Sequence, residues 1–305
     1  MNTPSPAITD EVAQALDEGQ AVVALESTLI AHGLPRGDNL DVAIRLEKIV
    51  RQAGAIPATI AVIDGQPRIG LDDDSLKRIA TDDDVAKLSI RDLGPAMATG
   101  RTGATTVAST AHLASMAGIK VFATGGLGGV HRQARDSWDE SADLAALART
   151  SIVVVCAGVK SILDVAATLE RLESLGVPVL GYQTTEFPGF YLHSSGEPLD
   201  WTVSSAEQAA EVVRSMDLIA LADRAVVLAN PIPIAAQLDP IEHDRVLHSG
   251  LALLESQRIT GKEVTPFLLD HFHTSTNGES LRVNIDVVER NAALAADVAM
   301  SLADR

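Results

Sequence analysis

Along most of the chain, short runs of Val, Ile, Leu and Ala alternate with longer stretches in which apolar positions recur every three or four residues. The short runs are Ala21 to Leu25, Thr59 to Ile63, Lys120 to Ala123, Ile152 to Cys156, Val177 to Gly181 and Ala225 to Leu228. Continuous apolar character over so few residues is how a strand buried on both faces reads. Between them, Leu40 to Gln52, Thr106 to Ala117, Ser161 to Ser174, Ala206 to Leu221 and Ser280 to Leu302 carry the helical period. This alternation predicts an α/β fold with the sheet inside and helices outside. No repeat or Gly/Ser linker divides the chain, so one large domain is expected over residues 1–305, with residues 1–8 flexible. A small excursion is expected around Thr184 to Thr202, where Pro188, Gly189 and Ser194-Ser195-Gly196 interrupt the rhythm.

Composition narrows the function. The 305 residues are 46% hydrophobic, enough for a sizeable core, yet include only 5 Phe, 2 Trp and 2 Tyr, so stacking platforms for bases are scarce. A formal charge of −17 has the wrong sign for neutralising phosphate along a duplex or on an anionic membrane. The single cysteine, Cys156, permits no intrachain disulfide and no thiolate cluster. The N-terminal residues lack the basic and apolar regions of a signal peptide, and the most apolar stretch, Ile152 to Val159, is far short of a bilayer span. A cytoplasmic protein without nucleic-acid or membrane partners is expected.

In open α/β sheets ligands bind beyond the carboxyl ends of the strands. Four of the runs end in chemistry: at Glu26-Ser27-Thr28, at Thr124-Gly125-Gly126-Leu127-Gly128-Gly129-Val130-His131, at Lys160, and at Asn230-Pro231. Together they suggest a site assembled from several strands.

Lys160 opens the helical segment beginning Lys160-Ser161-Ile162-Leu163, and a helix N-terminus disfavours a cation. It reads either as a solvated first-turn lysine or as a nucleophilic amine able to form a Schiff base with a sugar aldehyde. Glu26 is either a loop carboxylate or a general acid or base at the mouth of the sheet. The acidic segment Asp136 to Asp143 either caps the following helix or holds a hard divalent cation through one or two carboxylates and water. The glycine cluster matches no dinucleotide fingerprint; it is a tight turn, or a place where backbone N–H groups and His131 meet an anion. Gly103 to Val107 could bind phosphate at a helix start or be capped by its own threonines. Lys87 reads as an ordinary helix lysine unless the fold brings it to the site. Cys156 reads as core, and His271 and His273 as structural.

The stretches ALESTLIAHGLP, PATIAVIDG, GATTVAST, FATGGLGGVHR, SADL, VVVCAGVKSILDVAATLERLESLGVPVLGY, FPGFY, ANPIP and GESLRVNIDVVERNA resemble the pseudouridine-5′-phosphate glycosidase family, also called indigoidine synthase A-like. The likeness runs from about Glu26 to the C-terminal helix in one order and with nearly fixed spacing. It implies a three-layer α/β/α fold with a central, mostly parallel sheet, a homotrimer, and a divalent metal, usually Mn²⁺. The implied reaction is reversible cleavage of pseudouridine 5′-phosphate into uracil and ribose 5-phosphate. By the same resemblance Lys160 is the nucleophile, Glu26 the proton donor and Asp139 the metal ligand. Lys87, Val107, Ser141, Ala142 and Asp143 match substrate contacts, and His131 and Asn284 resemble residues on the phosphate or sugar side.

The chemistry explains the lysine. Ordinary glycosidases expel a heteroatom between two carboxylates, whereas pseudouridine joins C1′ to a carbon of uracil. Protonating the ring oxygen with help from Glu26 would open the ribose, and Lys160 holding C1′ would supply an electron sink for C–C scission. Two positions depart from the family pattern: Glu140, where an apolar residue is common, adds charge beside the metal position, and His193 stands where Arg is frequent. The Gln133-Ala134-Arg135 stretch is also more polar than usual. Two other readings fit part of the pattern: a Schiff-base lyase acting on another sugar phosphate, and a catalytically silent sensor of a phosphate ligand.

Overall fold

Alternate side chains of each central strand enter different cores, and this determines the layering of the computed structural model, which describes residues 6–259 and 264–303. The strands are β1 (Ala7–Ile8), β2 (Val22–Glu26), β3 (Ile56–Ile63), β4 (Gln66–Ile69), β5 (Ala86–Leu88), β6 (Gly103–Thr105), β7 (Val121–Ala123), β8 (Val153–Cys156), β9 (Val179–Tyr182), β10 (Thr202–Val203) and β11 (Val226–Ala229). Val22, Ala24, Phe122, Val154, Cys156, Val227 and Ala229 point into one apolar cluster. Their neighbours Val23, Leu25, Val121, Ala123, Val153, Val155, Val226 and Leu228 point into another. Two-sided burial is why these runs are continuously apolar rather than alternating.

Helices Asn39–Gln52, Ala206–Leu218 and Glu279–Ala303 cover the second cluster. Helices Val107–Met116, Ala142–Leu147, Val165–Ser174, Pro240–Gln257 and Val264–Ser275 cover the first. The result is a single three-layer α/β/α domain. Strand order is β1-β4-β3-β2-β7-β8-β11-β9-β10, with β6 on β3 and β5 on β6. Among these strands of the described residues, the pairings are parallel except those of β3 with β4 and with β6.

The β3–β4 hairpin turns on Asp64 and Gly65, both at positive φ, 50° and 77°. This is the geometry that a two-residue Asp-Gly turn favours. A second local feature shapes the site. Strand β2 ends at Glu26 opposite Ile60, and β6 continues along the same edge of β3 at Ala61 and Val62. The junction is sewn by buried hydroxyls. Ser27 Oγ and Thr105 Oγ1 both donate to the Ile60 carbonyl, at 2.6 and 2.7 Å, and the Thr105 amide donates to Ser27 Oγ at 2.8 Å.

Several expectations are corrected. The helix after β8 begins at Val165, where Asp164 caps the Ala167 amide at 3.0 Å, so Lys160 lies in the turn before it rather than in its first turn. Lys87 belongs to strand β5, not to a helix. Ala7 and Ile8 pair with Arg68 and Ile69 of β4 rather than forming a loose start; residues 1–5 lie outside the described residues. Between Thr184 and Thr202 the chain has no helix or strand before β10, in keeping with the expected excursion. Among the described residues, no helix is long and apolar enough to cross a membrane.

Candidate active site

The carboxyl ends of the central strands open into a cavity of about 360 Å³. The last residue of β2, Glu26, lines it, with Lys87 from β5 and Val107 at the start of the helix after β6. The loop after β7 contributes His131, and the following segment Asp139, Ser141, Ala142 and Asp143. Lys160 enters from the turn after β8, and Asn284 from the long C-terminal helix. All ten candidate residues read from the sequence therefore face one space, although they span more than 250 positions of the chain. Of the four strand endings, Asn230-Pro231 does not line the cavity.

Glu26 accepts a hydrogen bond from Thr124 Oγ1. Burial pushes its carboxyl above the usual range. Lys160, the Thr124 hydroxyl and Lys87 oppose that shift, and Asp143 adds to it. A carboxyl that retains its proton nearer to neutral pH is suited to general acid or base work.

Asp143 is buried and engaged at both oxygens. Oδ1 accepts from the Ala108 amide at 2.9 Å and Oδ2 from the Gly128 amide at 2.8 Å. It thereby joins a helix start to the glycine loop, and its own amide is capped by Ser141 Oγ at 3.2 Å. Of the two readings of the acidic segment, helix capping thus belongs to Ser141, while Asp143 holds two walls of the cavity together.

The glycines are required by close packing. A Cβ at Gly126 would lie 2.7 Å from the Phe190 ring, and one at Gly128 would lie 2.3 Å from Ser141 Oγ. Since Asp143 already takes the Gly128 amide, close approach by neighbouring side chains accounts for these glycines better than an anion cradle does.

Asp139 and His131 stand together: the His131 amide donates to the Asp139 carbonyl at 3.0 Å, and His131 Nδ1 lies 3.8 Å from Asp139 Oδ2. Glu140, the added charge, is paired with Arg171 at 2.9 Å. Among the described residues, no group of three or more His, Cys, Asp or Glu could hold a metal ion by itself. Four carboxylates line the cavity, but Glu26 is bonded to Thr124, Glu140 is paired with Arg171 and Asp143 is held by two amides, which leaves Asp139 to fit a hard divalent cation that keeps most of its ligands as water or substrate oxygens. His193, the other departure, lies outside this cavity, with Nδ1 2.8 Å from the Ile232 carbonyl oxygen.

Thr28, part of the first strand ending, also lines the cavity, whereas sequence reasoning missed several lining residues, among them His32, Phe190, Thr265 and Leu269. Thr28 Oγ1, His32 Nε2 and Asn284 Oδ1 are buried without a protein partner. Burial first, and then the nearby Lys87 charge, hold the His32 imidazole below its ordinary pKa, which favours the neutral ring. Unpaired buried polar atoms carry a free-energy cost that a polar ligand removes. Thr28 and His32 sit within the recognisable stretch around Glu26, and Phe190 within FPGFY, so those motifs were the available signal. Thr265 and Leu269 carried none.

A family model described as indigoidine synthase A like protein matches residues 11–301. A pseudouridine-5′-phosphate glycosidase of Salinispora tropica is 60% identical over 295 residues, covering 97% of this chain and 91% of that protein. One from Streptomyces griseus subsp. griseus is 58% identical over 303 residues, covering 99% and 94%. Among solved structures, the prealnumycin C-glycosynthase AlnA in complex with ribulose 5-phosphate superposes with a TM-score of 0.90 at 35% identity, covering 98% of both chains. An indigoidine synthase A-like protein of Thermotoga maritima superposes at 0.89 with 33% identity, covering 99% of this chain and 98% of that one.

Proposed function

The chain belongs to the indigoidine synthase A-like family, and from that membership and the chemistry of its cavity we propose that it is an enzyme that reversibly cleaves the C–C glycosidic bond of pseudouridine 5′-phosphate, giving uracil and ribose 5-phosphate. The observation that carries this reading is the convergence of a buried carboxyl of raised pKa, Glu26, and an amine, Lys160, on one cavity.

Uracil attached through carbon leaves with the bonding pair on C5, which takes up a proton, so C1′ needs an electron pair pushed in behind it, which an amine can supply. Protonated Glu26 gives its proton to the ring oxygen as the C1′–O4′ bond breaks and the ribose opens. The Lys160 amine, in its neutral form, bonds to C1′ and loses a proton. The nitrogen lone pair then forms the C1′=N iminium as the C1′–C5 bond breaks, and uracil C5 takes up a proton. Water adds to the iminium, releasing ribose 5-phosphate and restoring the amine. Lys87, His131, Ser141 and Asn284 contact the sugar phosphate, with Val107 and Ala142 shaping the space around it. Asp143 acts mainly by fixing the loop that surrounds these groups.

Asp139, with His131 beside it, is where a divalent ion such as Mn²⁺ would be held; the ion would supply electrostatic stabilisation and order oxygen ligands through water. A homotrimer is proposed as the assembly, to be read by light scattering.

The deciding measurement is uracil release from pseudouridine 5′-phosphate, with and without a chelator, beside a folded Lys160→Ala variant. Borohydride with ribose 5-phosphate should add one reduced sugar mass at Lys160. No uracil release by the wild-type protein, or undiminished release by Lys160→Ala, would overturn the reading.

A further inference from the structure

The Asn230 ending of β11 stands apart from the cavity, yet its side chain leads back to it. Asn230 Nδ2 donates to Asn291 Oδ1 at 3.0 Å. Asn291 Nδ2 in turn donates to the Thr124 carbonyl at 2.8 Å and, more weakly, to the Gly125 carbonyl at 3.4 Å. Thr124 is the residue whose hydroxyl is bonded to Glu26. We propose that Asn291, oriented by Asn230, is a positioning residue for the acid–base carboxylate Glu26, acting through the main chain of Thr124. The proposal rests on the glycosidase reading above.

Three features favour this role over simple packing. Asn291 is 1% exposed on a helix face that, apart from Asn284, carries Val287, Val288, Ala292, Leu294 and Ala295. An amide there is unfavourable unless its donors and acceptor are paired, and each of its polar ends is. Its acceptors are the two residues that follow β7, where the strand gives way to the loop lining the cavity. Finally, Asn284, which reaches the cavity, lies seven residues earlier, two turns along the same helix face. The bond from Asn291 therefore fixes the helix against the loop at the level that sets Asn284 beside Gly125.

The groups that face Glu26 are Lys160, Lys87 and Asp143, together with the Thr124 hydroxyl. The hydroxyl donates to the carboxylate and so favours its charged form. If Asn291 acts by holding Thr124 in place, deleting the Asn291 amide and deleting the Thr124 hydroxyl should perturb Glu26 in the same direction. A residue with a purely structural role would change stability or total activity without moving the titration of Glu26.

The experiment follows uracil release against pH for the wild type, Thr124→Val, Asn291→Ala and the double variant, with thermal unfolding as the check of folding. For Asn291→Ala, kcat should fall about 10- to 100-fold with KM changed less than about threefold. The pH limb assigned to Glu26 should move to higher pH in both single variants. In the double variant it should move no further than in the larger single one, because both substitutions remove one interaction. Should Asn291→Ala fail to fold, Asn230→Ala, which removes only the bond orienting the amide, should give a smaller shift of the same sign. An unmoved limb in the folded Asn291→Ala, or in Asn230→Ala where that is the variant read, overturns the proposal. A wild-type protein that releases no uracil removes the glycosidase reading and this inference with it, an outcome distinct from an active wild type with unmoved limbs.

Discussion

Lys160 is the cation that does most to counter the effect of burial on Glu26: the two approach one cavity from β2 and from the turn after β8, strands separated in the sheet only by β7. Burial still prevails, so the carboxyl keeps its proton to higher pH than an exposed glutamate. In the proposed reaction this pairing would bring a proton donor and an amine to one small ligand.

The first prediction separates their roles. Lys160→Ala should lower uracil release by at least about a thousandfold and abolish borohydride trapping of ribose 5-phosphate at this position, since Lys87, the other lysine of the cavity, enters from β5 and not from the turn after β8. Glu26→Gln should lower uracil release by about 100- to 10,000-fold, the usual range for a positioned acid or base. It should still yield a trapped adduct with ribose 5-phosphate, because a free aldehyde needs no ring-opening acid. Mass spectrometry of the reduced adduct checks both.

Asp143 offers a test on stability. Its two oxygens satisfy the Ala108 and Gly128 amides in a nearly dry setting, with 6% of the residue exposed. Asp143→Ala leaves both amides unpaired, so urea unfolding should show a loss of about 2–5 kcal/mol, from hydrogen bonds to a charged group and the desolvation left behind. Activity should fall along with stability, because the glycine loop and the helix at Val107 lose their common anchor.

What could be read from the sequence divides along physical lines. The six apolar runs correspond to β2, β3, β7, β8, β9 and β11, shifted by one or two residues at most of their ends, because two-sided burial leaves a local mark in composition. Strands β1, β4, β5, β6 and β10, of two to four residues, lack the apolar run that marks β7, itself only three residues long. The sequence around Lys160 misled for a similar reason: Ile162 and Leu163 are buried like helix residues, and only the Asp164 cap shows that the helix starts later. The strand-end rule located Glu26, His131 and Lys160 without any relative, whereas Lys87 and Asn284 stood out only through resemblance. Thr265 and Leu269 come from a helix whose position over the cavity is set by tertiary packing, which leaves no local pattern.

Metal dependence should follow from the sparse ligand set. With Asp139 as the one cavity carboxylate not already engaged by a hydroxyl, an amide or an arginine, the ion should be exchangeable, so a chelator should suppress uracil release and added Mn²⁺ restore it. Asp139→Ala should weaken Mn²⁺ binding, read by calorimetry, while leaving the Lys160 adduct with ribose 5-phosphate intact. Arg171→Ala, which frees Glu140 from its 2.9 Å ion pair, should tighten Mn²⁺ binding by placing an uncompensated charge next to Asp139.

The last prediction concerns stability against pH. Because the folded state raises the Glu26 pKa, the native protein binds this proton more tightly than the unfolded chain does. Stability from this group is therefore greatest below the unfolded glutamate value of about 4.3 and declines as pH rises through the folded value. Above that value the ionised carboxylate is held in a buried place against a net cost. Glu26→Gln keeps the shape and removes the titration, so its melting temperature should exceed that of the wild type at pH 8, and the difference should shrink or reverse by pH 4. Differential scanning calorimetry across that range, on protein stripped of metal and ligand, gives the comparison. A wild type that gains stability relative to Glu26→Gln as pH rises would mean that Lys160, Lys87 and the Thr124 hydroxyl together outweigh burial, and that Glu26 rests as an ordinary carboxylate rather than as a proton donor.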